Sequence, residues 1–297
     1  MKILLDNVNL DSASGPNSFG KKLRHELINQ GHEVDLSIAD PEAQLSFITC
    51  TQKRAPLALR LDGIYFNTRQ DWEQQNKPIF DSYKKSDLVI YQTSFNKMLT
   101  ESYFGPSKKH LIIGNGTSQS LIDKIEPLKH PVLDRFSEVW TCSSSWRPHK
   151  RLKDNIEYFF QKAPQDSCLV IAGENPDIRM QHDRLLYAGQ LQWETCIALY
   201  KRAKVFLHLA FLDHCPNVVV DARACGCDII VSSSGGTKEI AGKNATIVKD
   251  IEWDFSPLDL YSPPPLNYDI VFNNELDSSI DMSDVAQKYY NGLLGII

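Results

Sequence analysis

Short apolar runs rich in β-branched residues alternate with segments of helical period along most of this chain, and that alternation leaves few folds open. Strand-like runs fall at 2–5, 33–38, 44–50, 57–60, 88–92 and 111–113, then at 139–142, 168–172, 185–188, 205–209, 229–232 and 246–248. Helical period appears between them at 19–30, 95–103, 152–161, 193–202 and 217–225. Strands separated by helices need crossover connections, which give parallel strands covered on both faces. The series pauses over 123–138 and restarts after Pro131, as a linker would make it do. The expected fold is therefore α/β, with two Rossmann-like, doubly wound domains facing across a cleft, over residues 1–133 and 134–280. Ligands of such sheets bind at the carboxyl ends of the strands. The Ser262-Pro-Pro-Pro265 run is expected to end regular structure before one last helix within 281–297. That helix has Val285, Tyr289 and Leu293 on one face and Ser283 as its N-cap.

Composition removes several classes of function. The 297 residues are 42% hydrophobic and 23% charged, as in an ordinary packed globule. A net charge of −5 supplies no basic face for a nucleic acid. The apolar runs are too short to span a bilayer. The opening MKILLDNVNL meets Asp6 too early for a signal peptide and reads as a first buried strand. Seven cysteines, an odd count, point to reduced thiols in a cytoplasmic setting. Cys215, Cys225 and Cys227 lack a fourth ligand at a familiar spacing, so buried thiols explain them better than zinc. Asn115-Gly-Thr117 and Asn244-Ala-Thr246 match the glycosylation pattern, which has no consequence in that compartment.

Four stretches concentrate chemistry. In 211–230, FLDHCPNVVVDARACGCDII, Pro216 suits the first turn of a helix with Val218, Val219, Ala222 and Cys225 on its buried face, ended by Gly226. Asp213 precedes that helix and Asp221 lies about one turn in, off the buried stripe. Two acids near a helix mouth serve either as caps or as acceptors for a ligand's hydroxyls. Ser232-Ser-Ser-Gly-Gly-Thr-Lys-Glu239 is a glycine-rich turn after the next strand, either a plain connection or a loop that lets a ligand approach the backbone. In WTCSSSWRPHKRL, Arg147, Lys150 and Arg151 reverse the sign of an acidic protein, which suits an anion such as a diphosphate or a solvated helix start. Gly15-Pro-Asn-Ser-Phe-Gly20 lacks the full dinucleotide fingerprint and the Walker lysine. Arg60-Leu-Asp62-Gly63 closes a strand, as a site turn or a surface turn. His149 and His214 read as hydrogen-bonded loop residues.

Taken in order, these segments resemble the retaining GT-B glycosyltransferases of family 4. Those enzymes carry Glu-x7-Glu, a small-residue helix, Gly, a short strand and Gly-Gly-x-x-Glu; Asp213, Asp221, Gly226, Gly235, Gly236 and Glu239 match that series. The glycine loop and helix over 15–31, the strands near 87–94 and 113–116, the basic pair Arg147 and Lys150, and the segment 189–203 match in the same order. The match covers most of residues 1–250.

The resemblance implies a metal-independent transfer of a hexose-type sugar from a nucleoside-diphosphate donor to a hydroxyl acceptor, carbohydrate or lipid-linked. It implies an acceptor-side N-terminal domain, a donor-side C-terminal domain, and a last helix returning to the first. Asp221 would bond the ribose hydroxyls and Asp213 the transferred sugar. Arg147 and Lys150 would offset charge on the leaving diphosphate. Gly235, Gly236 and Thr237 would offer backbone N–H groups, while Gly189, Gln190 and Leu191 would frame the base. Gly15, Asn217 and Glu239 would complete the donor site, and Asp62 would face the acceptor or the reacting centre. No cofactor is implied, and peripheral contact with the cytoplasmic membrane face is compatible with a lipid-linked acceptor. Both acids of the pair are Asp where the family usually has Glu, one methylene longer. Two other functions fit the same motifs: a sugar-nucleotide-binding or assembly protein without turnover, and a GT-B sugar-nucleotide epimerase.

Overall fold

The computed structural model describes residues 1–12 and 14–297, which form two compact units. The first comprises Met1–Ser118, Phe255–Leu258 and Ser279–Ile297; the second comprises Gln119–Asp254 and Asp259–Ser278. Residues 119–133, on the N-terminal side of the expected boundary, belong to the second unit.

The first unit runs β1 (Lys2–Asp6), α1 (Gly15–Asn29), β2 (Glu33–Asp35), β3 (Ala43–Phe47), β4 (Leu57–Leu61), α2 (Trp72–Lys85), β5 (Leu88–Tyr91), α3 (Ser94–Phe104) and β6 (His110–Ile112). Its sheet has the order β2-β1-β3-β4-β5-β6 and is parallel throughout. Strands β3, β4 and β5 are buried at every position, which explains why they read as apolar runs rather than alternations. Helix α2 carries Pro78 in its interior, a residue that hides it from a sequence reading. The Asp71 side chain starts it by accepting from the Gln74 N–H at 3.1 Å.

The second unit runs α4 (Gln119–Ile122), β7 (Glu138–Ser143), α5 (Leu152–Lys162), β8 (Ser167–Ala172), β9 (Leu185–Gly189), α6 (Trp193–Arg202), β10 (Val205–His208), α7 (Asn217–Ala224), β11 (Asp228–Ser232), α8 (Thr237–Ile240), β12 (Thr246–Val248) and β13 (Val271–Asn273). Its sheet has the order β13-β12-β11-β10-β7-β8-β9, parallel except for β13. Regular structure thus does not end at the proline run, because β13 returns antiparallel to β12 at the sheet edge. Strand order reverses at the β7–β10 pair, from which the chain winds outward in both directions. In such sheets the loops diverge at this point, at the carboxyl ends, and ligands bind in the crevice between them.

Helix α9 (Met282–Leu294) follows β13 and packs into the first unit's core, where Val285, Tyr289 and Leu293 join Phe19, Leu23 and Leu27 of α1. Burying each such side chain stabilises by about 1.5–3 kcal/mol, which fixes the helix to this unit. Its cap is Asp281 rather than Ser283: the carboxylate accepts from the N–H groups of Ser283 and Asp284 at 2.8 and 3.4 Å. Among the described residues no helix is long and apolar enough to cross a membrane.

Candidate functional site

The crevice of the second sheet is built by two loops, one after β7 and one after β10. Strand β7 ends at Ser143, and the chain turns through Trp146, whose indole N–H donates to the Ala172 carbonyl at 3.0 Å. Gly173 lets the loops close here, since a Cβ on it would stand 1.7 Å from the Ser144 carbonyl oxygen. The loop ends in a single 3-10 turn over Pro148–Lys150. Strand β10 ends at His208, and the chain returns to α7 through Asp213.

The Asp213 carboxylate joins these loops. Its Oδ2 accepts from Lys150 Nζ at 2.6 Å and from His208 Nε2 at 2.8 Å, while Oδ1 accepts from the His214 N–H at 3.0 Å. Burial alone would raise this carboxyl group, but the Lys150 charge and the His208 bond hold it well below the usual carboxylate range. Burial pushes His208 below the usual imidazole value, against the pull of Asp213. His149 is buried beside Lys150 and is driven down to about 3, first by burial and then by the lysine charge.

The glycine-rich turn abuts the same aspartate. Gly236 N–H donates to the Asp213 carbonyl at 2.8 Å. Gly235 has φ +78°, and a Cβ there would stand 2.4 Å from that carbonyl oxygen, so only glycine fits. Thr237 follows as a fully buried residue whose Oγ1 has no partner among the described residues, and Glu239 lies in the short helix α8.

Asp221 departs from its expected place. It is 5% exposed and belongs to the buried side of α7, while Val218 and Cys225 are half-buried. A carboxylate tolerates that depth because Trp193 Nε1, at the start of α6, donates to its Oδ2 at 2.9 Å. Pro216 stands at the N-cap position with extended backbone, so Asn217 opens the helix. Arg147 is exposed, and among the described residues no side-chain bond joins it to the Lys150–Asp213 pair. Gly189 ends β9 with φ +69° and open space around it, followed by exposed Gln190 and half-buried Leu191.

The remaining expected residues lie in the first unit. Gly15 opens α1. Asp62 follows β4 and is bonded by the fully buried Arg60 and, at 2.6 Å, by Gln92 Nε2. Arg60 also donates to Tyr289 Oη at 3.1 Å and to Asn115 Oδ1 at 2.8 Å, and its guanidinium lies 4.3 Å above the Phe19 ring. Among the described residues no group of three or more His, Cys, Asp or Glu side chains is placed to hold a metal ion.

Sequence reasoning missed three participants. His208 carried a usable signal, as a polar residue closing an apolar central strand. Trp193 carried a weaker one, as the first helical residue after the Gly189 segment. The Arg151–Asp250 ion pair carried none, because its halves lie 99 residues apart.

Residues 137–254 match the family described as Glycosyl transferases group 1. No curated protein matches the chain. Among solved structures, HepE from Anabaena in complex with UDP is 12% identical with a TM-score of 0.67, over 99% of this chain and 100% of that one. Sucrose-phosphate synthase from Thermosynechococcus elongatus is 14% identical with a TM-score of 0.65, over 84% and 86% of the two chains. AviGT4, a glycosyltransferase involved in avilamycin A biosynthesis, is 13% identical with a TM-score of 0.65, over 100% and 98%. The two sheets therefore form the GT-B fold, and residues 137–254 are similar to the glycosyl transferases group 1 family.

Proposed function

We propose that the protein is a retaining, metal-independent glycosyltransferase of the family-4 type, moving a hexose from a nucleoside-diphosphate donor to a hydroxyl of a carbohydrate or lipid-linked acceptor. The observation that carries this reading is the Lys150–Asp213 pair at the strand-order reversal of the second sheet, inside the segment that matches the family. A sugar nucleotide needs acceptors for its hydroxyls and cations for its phosphates, and this pair offers one of each. Lys150, joined by the exposed Arg147, offsets the charge that grows on the departing diphosphate, the part a divalent cation plays elsewhere. Asp213 holds the transferred sugar, and Asp221, oriented by Trp193, holds the ribose. The turn at Gly235, Gly236 and Thr237 presents its backbone to the sugar or phosphate, with Asn217 and Glu239 beside it. Gly189, Gln190 and Leu191 frame the base. Asp62 serves the acceptor side or the reacting centre, and Gly15 serves the donor. HepE was solved with UDP and with UDP-glucose, which makes uracil nucleotides the first donors to try.

Thermal unfolding with a panel of nucleoside diphosphates and their glucose conjugates tests the reading, beside an Asp221→Ala control. A ligand at about 100 times its dissociation constant adds roughly 2.7 kcal/mol to stability. The expected result is a raised Tm with one base, lost in the control. No shift with any nucleotide sinks the donor site. A shift without transfer or hydrolysis of the sugar leaves a binding protein, and release of an epimerised sugar nucleotide identifies the epimerase.

A further inference from the structure

Lys150 and His208 bond the same oxygen of Asp213 but are held in different ways. His208 is the last residue of β10, in register with Val231 of β11, and is 4% exposed. Its ring is therefore fixed by the central part of the sheet. Lys150 ends a one-turn 3-10 segment, and its side chain, 18% exposed, is a flexible stem with three donors. Among the described residues, the side-chain partner of Lys150 is Asp213 Oδ2.

A diphosphate arriving at this crevice competes for the ammonium. Once Lys150 turns to it, Asp213 keeps its negative charge at 13% exposure but loses the nearest cation. A carboxylate that has lost its cation is poorly placed unless a fixed donor still holds it. The bond that remains on Oδ2 is the one from His208. The imidazole donates through Nε2, so the tautomer with the proton on that nitrogen is the one the geometry selects.

We propose that His208 is the positioning residue for Asp213 in the donor-loaded state: it holds the carboxylate toward the transferred sugar after Lys150 has moved to the diphosphate. This rests on the donor-site reading given above. The carboxylate released by Lys150 then keeps two fixed donors, His208 Nε2 on Oδ2 and the His214 backbone N–H on Oδ1. His208 itself touches neither phosphate nor sugar.

The role separates the sugar from the diphosphate, and calorimetric titration with UDP and with UDP-glucose reads that separation, or with the matching pair for whichever base the panel selects. His208→Phe keeps the ring volume and removes the N–H, whereas His208→Gln restores an N–H at nearly the same reach. In His208→Phe, UDP-glucose is expected to bind about tenfold more weakly, while UDP stays within about twofold of the unsubstituted protein. His208→Gln recovers most of the loss. In an Asp213→Ala background, His208→Phe changes UDP-glucose binding by less than about twofold, since the effect passes through the carboxylate. Equal weakening of both ligands, undiminished UDP-glucose binding, or additive losses in the double variant each overturn the proposal. If His208→Phe does not fold, His208→Leu, which also lacks the N–H, carries the test: weakened UDP-glucose binding with UDP unaffected supports the role, while equal weakening of both or no weakening overturns it. Absence of binding by the unsubstituted protein to every nucleotide tried is a different result: it overturns the donor site, and this proposal with it.

Discussion

Lys150 and Arg151 are chain neighbours, and each bonds an aspartate at 2.6 Å, yet the two pairs have opposite characters. Arg151 and Asp250 are completely buried. Their contact is bidentate, at 2.6 and 3.3 Å, and the guanidinium also donates to the Pro264 carbonyl at 2.6 Å and lies 4.9 Å from the Phe211 ring. Asp250 accepts further from Ser234 Oγ at 2.6 Å and from the Ile251 N–H at 2.8 Å. Both carboxylate oxygens and both terminal guanidinium nitrogens are thereby met, while Arg151 Nε has no partner among the described residues; a buried ion pair is tolerated where its charges are so compensated. The pair ties the loop after β7 to the turn that carries Gly235. Lys150 and Asp213 are partly exposed, bonded through one oxygen, and supported by an imidazole. The left-handed backbone of Arg151, φ 52° and ψ 52°, turns the chain between them. One pair is a strut, the other an open site, and the first holds the second in place.

The largest effect expected follows from breaking the strut. Asp250→Asn keeps the shape but leaves the Arg151 charge buried without a counter-charge, which costs about 3–5 kcal/mol. Urea unfolding measures it. A cost no greater than that of Lys150→Met would show that the two pairs do not differ as described. Lys150→Met itself is expected to change stability little, by about 1 kcal/mol, since His208 still bonds Asp213. Its effect falls on turnover instead, a loss of about 10²–10³, or 2.7–4 kcal/mol of barrier. Initial rates of sugar transfer or donor hydrolysis read this. A Lys150→Met protein that keeps its rate and loses its stability would reverse the assignment of site and strut.

The same contrast explains what the sequence could disclose. Each of the twelve strands it names is present, because buried parallel strands are nearly continuous apolar runs whose composition alone marks them. The helices at 193–202 and 217–225 carry their own start and stop signals, and the structure places them at Trp193–Arg202 and Asn217–Ala224. Strand β13 and helix α2 escape: one is three residues long, and the other contains Pro78. Within the candidate site, Asp213, Lys150 and the Gly235 turn were legible because each sits at the end of a recognisable element. The depth of Asp221 was not, since it depends on Trp193 from another helix. Arg151 looked like one more cation of a basic cluster, and only folding separates it from Lys150.

A smaller effect sharpens the comparison through pH. His149 precedes Lys150, lies 8% exposed with its ring stacked 5.7 Å from Tyr261, and takes a proton only near pH 3 in the folded chain. In the unfolded chain a histidine takes one near 6.5. Between those values the unfolded state binds the extra proton, so stability falls as pH drops below 6.5, by up to about 1.4 kcal/mol per unit. His208, also lowered, acts in the same direction, whereas Asp213 begins to contribute only below the ordinary carboxylate value of 3.8, because its folded value is depressed. The windows are therefore distinct. Urea midpoints at pH 7, 6 and 5 are expected to decline, and His149→Phe should flatten the decline. An unchanged slope in that variant would mean that His149 is not held neutral. The neutral state matters to the open pair: a charged His149 would set a second cation beside Lys150 and compete for Asp213, which would bias the aspartate toward its loop partners and away from a sugar.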